Sequence, residues 1–324
     1  MIPLEDFVSP LRTTFAGALL GVVVLAGCGQ TDGTAGAAPS ESATASAPAA
    51  GSAFPVTVQA GNGAVTIAKR PERIVSLSPT ATETLYAVGA GSQVTAVDDQ
   101  SNYPAEVPKT SLSGFKPNVE AIVEAKPDLV VLSNDIDNVV AGLTKVGVPV
   151  IVEPAANTLD EAYDEIIDLG AATGNAEKAA EVVADMKREI DQLAAAAPKD
   201  KKLTYYHELD TTPYAATSTT FLGQVYGLFG LVNVADKAPD AAGGYPKLSA
   251  EFVVKADPEL IFLGDTKCCG QNNAALAKRP GWSGLSAIKN DRVIELDDDI
   301  ASRWGPRVVD LAKTIGEAVQ KAAS

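Results

Sequence analysis

From Val56 onward, short β-branched runs alternate with longer segments of helical period. Arg73-Ile74-Val75-Ser76-Leu77, Val94-Thr95-Ala96-Val97, Leu129-Val130-Val131-Leu132 and Val148-Pro149-Val150-Ile151-Val152 read as buried strands, with helices over Thr82 to Val88 and Val119 to Glu124 between them. Such alternation predicts an α/β lobe built on a mainly parallel sheet. The pattern then returns. Leu203-Thr204-Tyr205-Tyr206, Leu260-Ile261-Phe262-Leu263 and Arg292-Val293-Ile294-Glu295-Leu296 read as strands of a second lobe. Between the two lies Asn175 to Ala196, apolar at Val182, Val183, Met186, Ile190 and Leu193 and followed by Pro198. This spacing predicts a rod of roughly 30 Å, a stiff connection between the lobes, and a surface helix belonging to one lobe is the plainer alternative.

One segment repeats. Asn118-Val119-Glu120-Ala121-Ile122-Val123 matches Ser249-Ala250-Glu251-Phe252-Val253-Val254, and Pro127-Asp128-Leu129 matches Pro258-Glu259-Leu260 at the same offset. Self-similarity held across a helix, a turn and a strand marks a duplicated unit. The expected organisation is an N-terminal lobe over 56–173, a bridging helix over 174–197 and a C-terminal lobe over 198–324. In each copy the glutamate precedes apolar residues expected to face the core, Ile122 and Val123 or Phe252 and Val253, which turns Glu120 and Glu251 to solvent. A solvated helix charge is the ordinary fate of such a residue.

The first residues differ in kind. Phe15 to Val24 is apolar and ends in Leu25-Ala26-Gly27-Cys28, a secretory signal too short to span a membrane. The run resembles a bacterial lipobox, which implies that 1–27 is removed and that Cys28 is lipidated as the mature N-terminus. Glu5 and Asp6 depart from the pattern, since a signal peptide is usually basic there. Residues 28–55 are nearly all Gly, Ala, Ser, Thr and Pro, too poor in apolar surface to offset ordering entropy. They read as a tether holding the body roughly 25–30 Å from its anchor.

Composition narrows the classes. A chain of 324 residues suits two cores and a tail, and 46% hydrophobic with 21% charged residues suits a soluble globular body. Forty-one acids against 26 bases give a formal charge of −15, so nucleic acid, which needs a basic footprint, is excluded as a partner. Three cysteines, Cys28, Cys268 and Cys269, cannot staple a fold.

Ser76-Leu77-Ser78-Pro79-Thr80-Ala81-Thr82-Glu83, then Ser101-Asn102-Tyr103-Pro104, the two Glu-helix-Pro-strand units and Trp304-Gly305-Pro306-Arg307 fall in one order. Together, over about residues 56 to 322, they resemble the periplasmic-binding proteins for cobalamin and iron complexes, most of all the cobalamin binders. The resemblance implies two Rossmann-like lobes bridged by one long helix, a ligand cleft between them and no chemistry on the ligand. It also implies that Glu120 and Glu251, one per lobe, dock on arginines of an ABC importer's permease.

Ligand sites in open α/β sheets lie at strand C-terminal ends. The candidates there are Ser78, Pro79, Thr80, Tyr103, Phe115, Tyr214, Tyr245 and Trp304, with Asp299 and Arg303 as polar anchors. Aromatic faces with a few hydrogen-bonding groups suit a corrin ring, a broad disc fringed with amides. By resemblance, Tyr214, Tyr245 and Asp299 hold positions where cobalamin binders contact ligand, and Phe115 matches an aromatic position to within one residue. Each aromatic taken alone fits core or rim packing as well.

Cys268-Cys269 is not part of that resemblance. Neighbouring Cα atoms lie about 3.8 Å apart, below the usual disulfide range of about 4.4–6.8 Å. The pair reads as free thiols, a strained ligand-facing bridge or a metal site. His207, the only histidine, is more often structural than ligating in such a place, with an axial bond to cobalt or haem iron as the alternative. A lone histidine excludes the multi-histidine metal sites. Asp297-Asp298-Asp299 lacks the spaced oxygens of a calcium loop and reads as a strand end with one ligand-facing acid. Without a triad, phosphate loop or metal spacing, no enzyme is expected and no resident cofactor. The expected protein is a monomer that binds a corrinoid, with a ferric siderophore or haem as the alternative ligand. A siderophore would favour cleft cations, of which Arg303 is the one clear candidate, Arg307 reading as tied to the last helix.

Overall fold

The computed structural model describes residues 54–324; the expected leader, Cys28 and almost all of the tether lie outside them. A hairpin comes first, β1 (Val56–Ala60) antiparallel to β2 (Gly63–Ile67). Its turn needs Gly63, whose φ of 97° is open to glycine at little cost. Asn62 then docks the turn on a neighbouring strand: its Nδ2 donates to the Val150 carbonyl at 2.9 Å and its Oδ1 accepts from the Val152 amide at 3.0 Å. The side chain thus covers an edge that would otherwise be left open.

The first lobe follows the expected alternation: β3 (Ile74–Leu77), α1 (Pro79–Ala87), β4 (Val94–Val97), α2 (Val119–Glu124), β5 (Leu129–Leu132), α3 (Val139–Lys145) and β6 (Val150–Val152). The sheet is parallel in the order β4-β3-β5-β6. Two helices, α4 (Leu159–Thr173) and α5 (Ala176–Ala196), carry the chain away from it. The turn between them rests on Gly174 at φ 75°, and Gly170 lets the pair close, since a Cβ there would lie 2.2 Å from Ala179 Cβ.

The second lobe comprises β7 (Thr204–Glu208), α6 (Phe221–Leu228), β8 (Val232–Asn233), α7 (Ala250–Ala256), β9 (Leu260–Leu263), α8 (Thr266–Cys269), α9 (Asn273–Ala277), α10 (Ser286–Lys289), β10 (Val293–Glu295), α11 (Asp298–Ala301) and the closing α12 (Val308–Ala323). Its parallel sheet runs β8-β7-β9-β10, so in both lobes the first strand lies between the second and the third. The duplication extends to register. Ile74 pairs with Leu129 and Tyr205 with Leu260, at the spacing that separates Asn118 from Ser249.

Matching polar contacts explain the repeated residues. Asn118 caps α2 by accepting from the Ala121 amide, and Ser249 caps α7 by accepting from that of Phe252. Asp128 accepts from the Glu72 and Arg73 amides and Glu259 from the Thr204 amide, so each acid pins the start of its lobe's first strand. Ile122 and Val253, at equivalent positions, are fully buried. Val123 was expected inside but is 36% exposed, because so short a helix has room for one inward side chain. Glu120 and Glu251 are both exposed.

Three apolar clusters hold the fold. One outer face joins Val75, Leu77 and Val130 to Ile122 and Leu143, and the other joins Tyr206, Ile261 and Leu263 to Val253 and Leu276. The third runs unbroken from Ile74, Leu129 and Ile151 of the first sheet, through Met186 and Ile190 of α5 and Ile315 of α12, to Tyr205 and Phe262 of the second. At about 1.5–3 kcal/mol for each large side chain buried, this shared layer resists separation of the lobes. Among the described residues no helix is long and apolar enough to cross a membrane.

Candidate functional site

The loops after β4 and β6 meet those after β7, β8, β9 and β10. Between them lies a cavity of about 240 Å³, lined among others by Ala155, His207, Phe221, Tyr245, Asp298 and Trp304. His207 forms its floor. Its Nδ1 shares a 2.8 Å hydrogen bond with the Tyr226 hydroxyl, while Nε2 has no partner. Burial pushes the imidazole down to about 4, so the ring is neutral at physiological pH. Gly264 leaves this nitrogen room, for a Cβ there would lie 3.2 Å from it.

One wall is a polar contact between the lobes. Arg303 Nη1 donates to Glu83 Oε1 at 2.5 Å and to Asn102 Oδ1 at 2.9 Å, and its Nη2 donates to the Gln100 carbonyl and to Asp299 Oδ1. Arg307 donates to both oxygens of the same Glu83, at 2.8 and 2.5 Å. Asp299 also accepts from Asn102 and from Lys267 Nζ, each at 3.0 Å. Burial opposes its ionisation, but hydrogen bonds from Lys267 and Asn102, with the charge of Arg303, hold its carboxyl below the ordinary value. This latch engages Arg303, expected as a free anchor for ligand. Only 8% of the residue is exposed, because Glu83 needs its charge.

A second contact joins Trp304 to α4, where the indole Nε1 donates to Glu165 Oε2 at 2.8 Å. Glu153, just after β6, is 4% exposed and its Oε1 has no partner. Burial first, then the nearby Glu165 and Asp168, pushes its carboxyl up to about 9. Glu165 is pushed up to about 8, again chiefly by burial, against the pull of the Trp304 hydrogen bond. Both acids therefore hold their protons at neutral pH.

The other expected residues divide. Ser78 and Thr80 do not reach the open cleft: they are 2% and 6% exposed, and Ser78 is spent capping α1 from its position just before Pro79. Thr82, from the same motif, donates to Ser76 and bonds Ser101, forming a buried hydroxyl chain. Phe115 is 71% exposed and follows Gly114, whose backbone passes so close to the Leu77 carbonyl that a Cβ would lie 2.6 Å away. Tyr214 and Tyr245 are exposed, and Tyr245 lines the cavity. Tyr103 stands apart, in a separate hollow with Glu83, Tyr86 and Arg307, whose guanidinium lies 4.2 Å from its ring centre. The three aspartates have three tasks: Asp297 caps α11, Asp298 caps α8 and Asp299 joins the lobes. Glu83 and Asn102 occur in the motifs quoted above, but their roles had no local signal, since their partners lie more than 190 residues away.

Two parallel α/β sheets of identical order, with a cavity between their loops, define a two-lobed binding fold. The chain belongs to the periplasmic binding protein family, whose profile matches residues 74–300. A Bacillus subtilis protein described as an ABC transporter substrate-binding lipoprotein is 32% identical over 94% of this chain and 96% of its own. A cobalamin-binding protein of Halobacterium salinarum is 31% identical over 79% of this chain and 72% of its own. Among solved structures, the periplasmic vitamin B12 binding protein of Vibrio cholerae superposes with a TM-score of 0.62 at 26% identity, covering 78% of this chain and 98% of that one. A haem-binding protein of Roseiflexus, at 23% identity and a TM-score of 0.68 over 78% of this chain and 100% of that one, shares the fold.

Proposed function

We propose that this protein is the extracytoplasmic substrate-binding component of an ABC importer, anchored through Cys28, and that it binds a corrinoid and releases it unchanged. The observation that carries the reading is where aromatic surface is left open. Among the described residues the exposed aromatic side chains are Tyr103, Phe115, Tyr214 and Tyr245, and all four lie on loops that follow strand C-terminal ends. Exposed rings at these positions offer apolar faces that a ligand can cover. The cavity of about 240 Å³ is smaller than a typical pocket of about 300–1,000 Å³, so a corrin would rest across its mouth, against Tyr245. The relatives named for cobalamin and vitamin B12 support this ligand class.

The test is an absorbance titration of the full chain with cobalamin, cobinamide, haem and a ferric siderophore. Saturable corrinoid binding at micromolar or tighter affinity is expected. A response to haem or siderophore alone would overturn it in favour of iron uptake, the second reading, which the unpartnered His207 Nε2 on the cavity floor favours, as a neutral imidazole can ligate iron.

Glu120 and Glu251 are proposed to meet basic residues of the permease, one from each lobe. They sit at the same step of the first turn of α2 and α7. Such charge pairs guide encounter and register more than they add affinity. Replacing both with alanine is expected to cut uptake into reconstituted vesicles about tenfold or more while solution affinity stays within about twofold. Unchanged transport would remove the docking role, and a large loss of solution affinity would place the pair at the ligand instead.

A further inference from the structure

Cys268 and Cys269 take no part in the cleft just described, yet their helix is tied through Lys267 to Asp299, one of the residues that join the lobes. α8 is a single turn, and both thiols are exposed and free. Its amides converge on one carboxylate: Asp298 accepts from Thr266 at 2.9 Å, from Lys267 at 3.0 Å and from Cys268 at 2.9 Å. Lys267 reaches on to Asp297 and Asp299, and Asp299 accepts from Asn102 across the lobes and pairs with Arg303 within its own lobe. The residue before the turn, Asp265, is fully buried with neither carboxyl oxygen bonded. The thiol form of the turn therefore leaves an acceptor unsatisfied that another backbone arrangement could serve.

We propose that Cys268 and Cys269 form a reversible vicinal disulfide by exchange with a small-molecule disulfide such as oxidised glutathione, and that this modification unwinds α8, releases Asp298 and loosens the contact that Asp299 makes with Asn102 across the lobes. The thiolate of Cys269 attacks the reagent, forming a mixed disulfide and releasing one glutathione thiolate. Cys268 then attacks the Cys269 sulfur, forming the internal bond and releasing the second. The two cysteine protons end on the two glutathiones, which are reduced as the cysteines are oxidised. Interaction with the neighbouring Cys269 first, then burial and the charge of Asp298, push the Cys268 thiol up to about 12. Once Cys269 is a mixed disulfide, its share of that opposition is gone.

Unwinding is required by geometry. Consecutive side chains of a helix diverge by about 100°, so the two sulfurs cannot be joined while α8 stays wound. The amides held by Asp298 must turn away. The modification is independent of which ligand the cleft takes.

The full chain is incubated with graded ratios of reduced to oxidised glutathione and studied by peptide mass spectrometry, which separates this pair from Cys28, and by hydrogen exchange. The peptide holding both cysteines is expected to lose two hydrogens without retaining glutathione and to recover them with dithiothreitol. The Thr266, Lys267 and Cys268 amides should then exchange about tenfold faster or more. In Cys268→Ser, one glutathione should remain trapped on Cys269. An internal bond with unchanged exchange, glutathione adducts without an internal bond, or no adduct in Cys268→Ser would each overturn the proposal.

Discussion

Glu83→Gln is expected to lower the stability of the folded chain by about 3–5 kcal/mol, which corresponds to a fall of about 10 °C in the unfolding midpoint. The substitution keeps the size of the side chain, so no cavity opens and the loss reports the charge together with one acceptor turned into a donor against the guanidiniums. Glu83 is 3% exposed and faces two guanidiniums, and removing its charge leaves Arg303 and Arg307 together without their shared partner. A buried pair is little screened, so the loss should persist at high salt. The contrast is with surface pairs on α5, such as Arg188 with Asp185, worth about 0.5 kcal/mol or less. Calorimetry of the variant at low and high ionic strength checks both points. A midpoint within about 1 °C of the parent would show that the latch contributes no stability.

The second large effect is on pH dependence. Glu153 is pushed up to about 9 in the folded state, while in the unfolded chain it titrates near the ordinary glutamate value. A folded-state pKa raised in this way means that the native protein holds the extra proton, so stability falls as pH rises through the interval between the two values. The contribution is complete below about pH 4 and is lost by about pH 9. Glu153→Gln mimics the protonated form and should lie within about 1 kcal/mol of the parent near pH 5, then exceed it by about 6 kcal/mol near pH 9. Asp298 and Asp299 lean the other way, but their folded-state values lie below the ordinary carboxylate range, outside this window. Urea midpoints across pH 5 to pH 9 give the measurement; parallel curves for parent and variant would contradict a protonated Glu153.

The strands from Ile74 to Leu263 were legible because unbroken apolar runs of that length suit a sheet covered on both faces. The inward positions of α5 followed its period, with Val183, Met186 and Ile190 buried. The hairpin of β1 and β2 went unread although its signal was present, Asn62-Gly63 between alternating residues. β8 is only Val232–Asn233, too short for any period to register. Strand-end position anticipated that Phe115, Tyr214 and Tyr245 are exposed, since exposure there follows from topology. It failed for Ser78 and Thr80, where capping and packing compete for the same side chains. It also failed for Arg303, whose engagement depends on Glu83, 220 residues away, a distance at which local pattern carries no information.

The apolar layer that runs from Ile74 through Ile190 to Phe262 has a consequence for how this duplicated chain folds. A repeat invites the picture of two halves that fold one after the other, each stable by itself. Here each half would expose the inner side of its sheet and one face of α5 or α12, with no water-compatible surface beneath. Neither half is then a folding unit, and heat should melt the chain in one transition with matching calorimetric and van't Hoff enthalpies. Duplication supplied two copies of the topology, and the shared layer made them a single thermodynamic body.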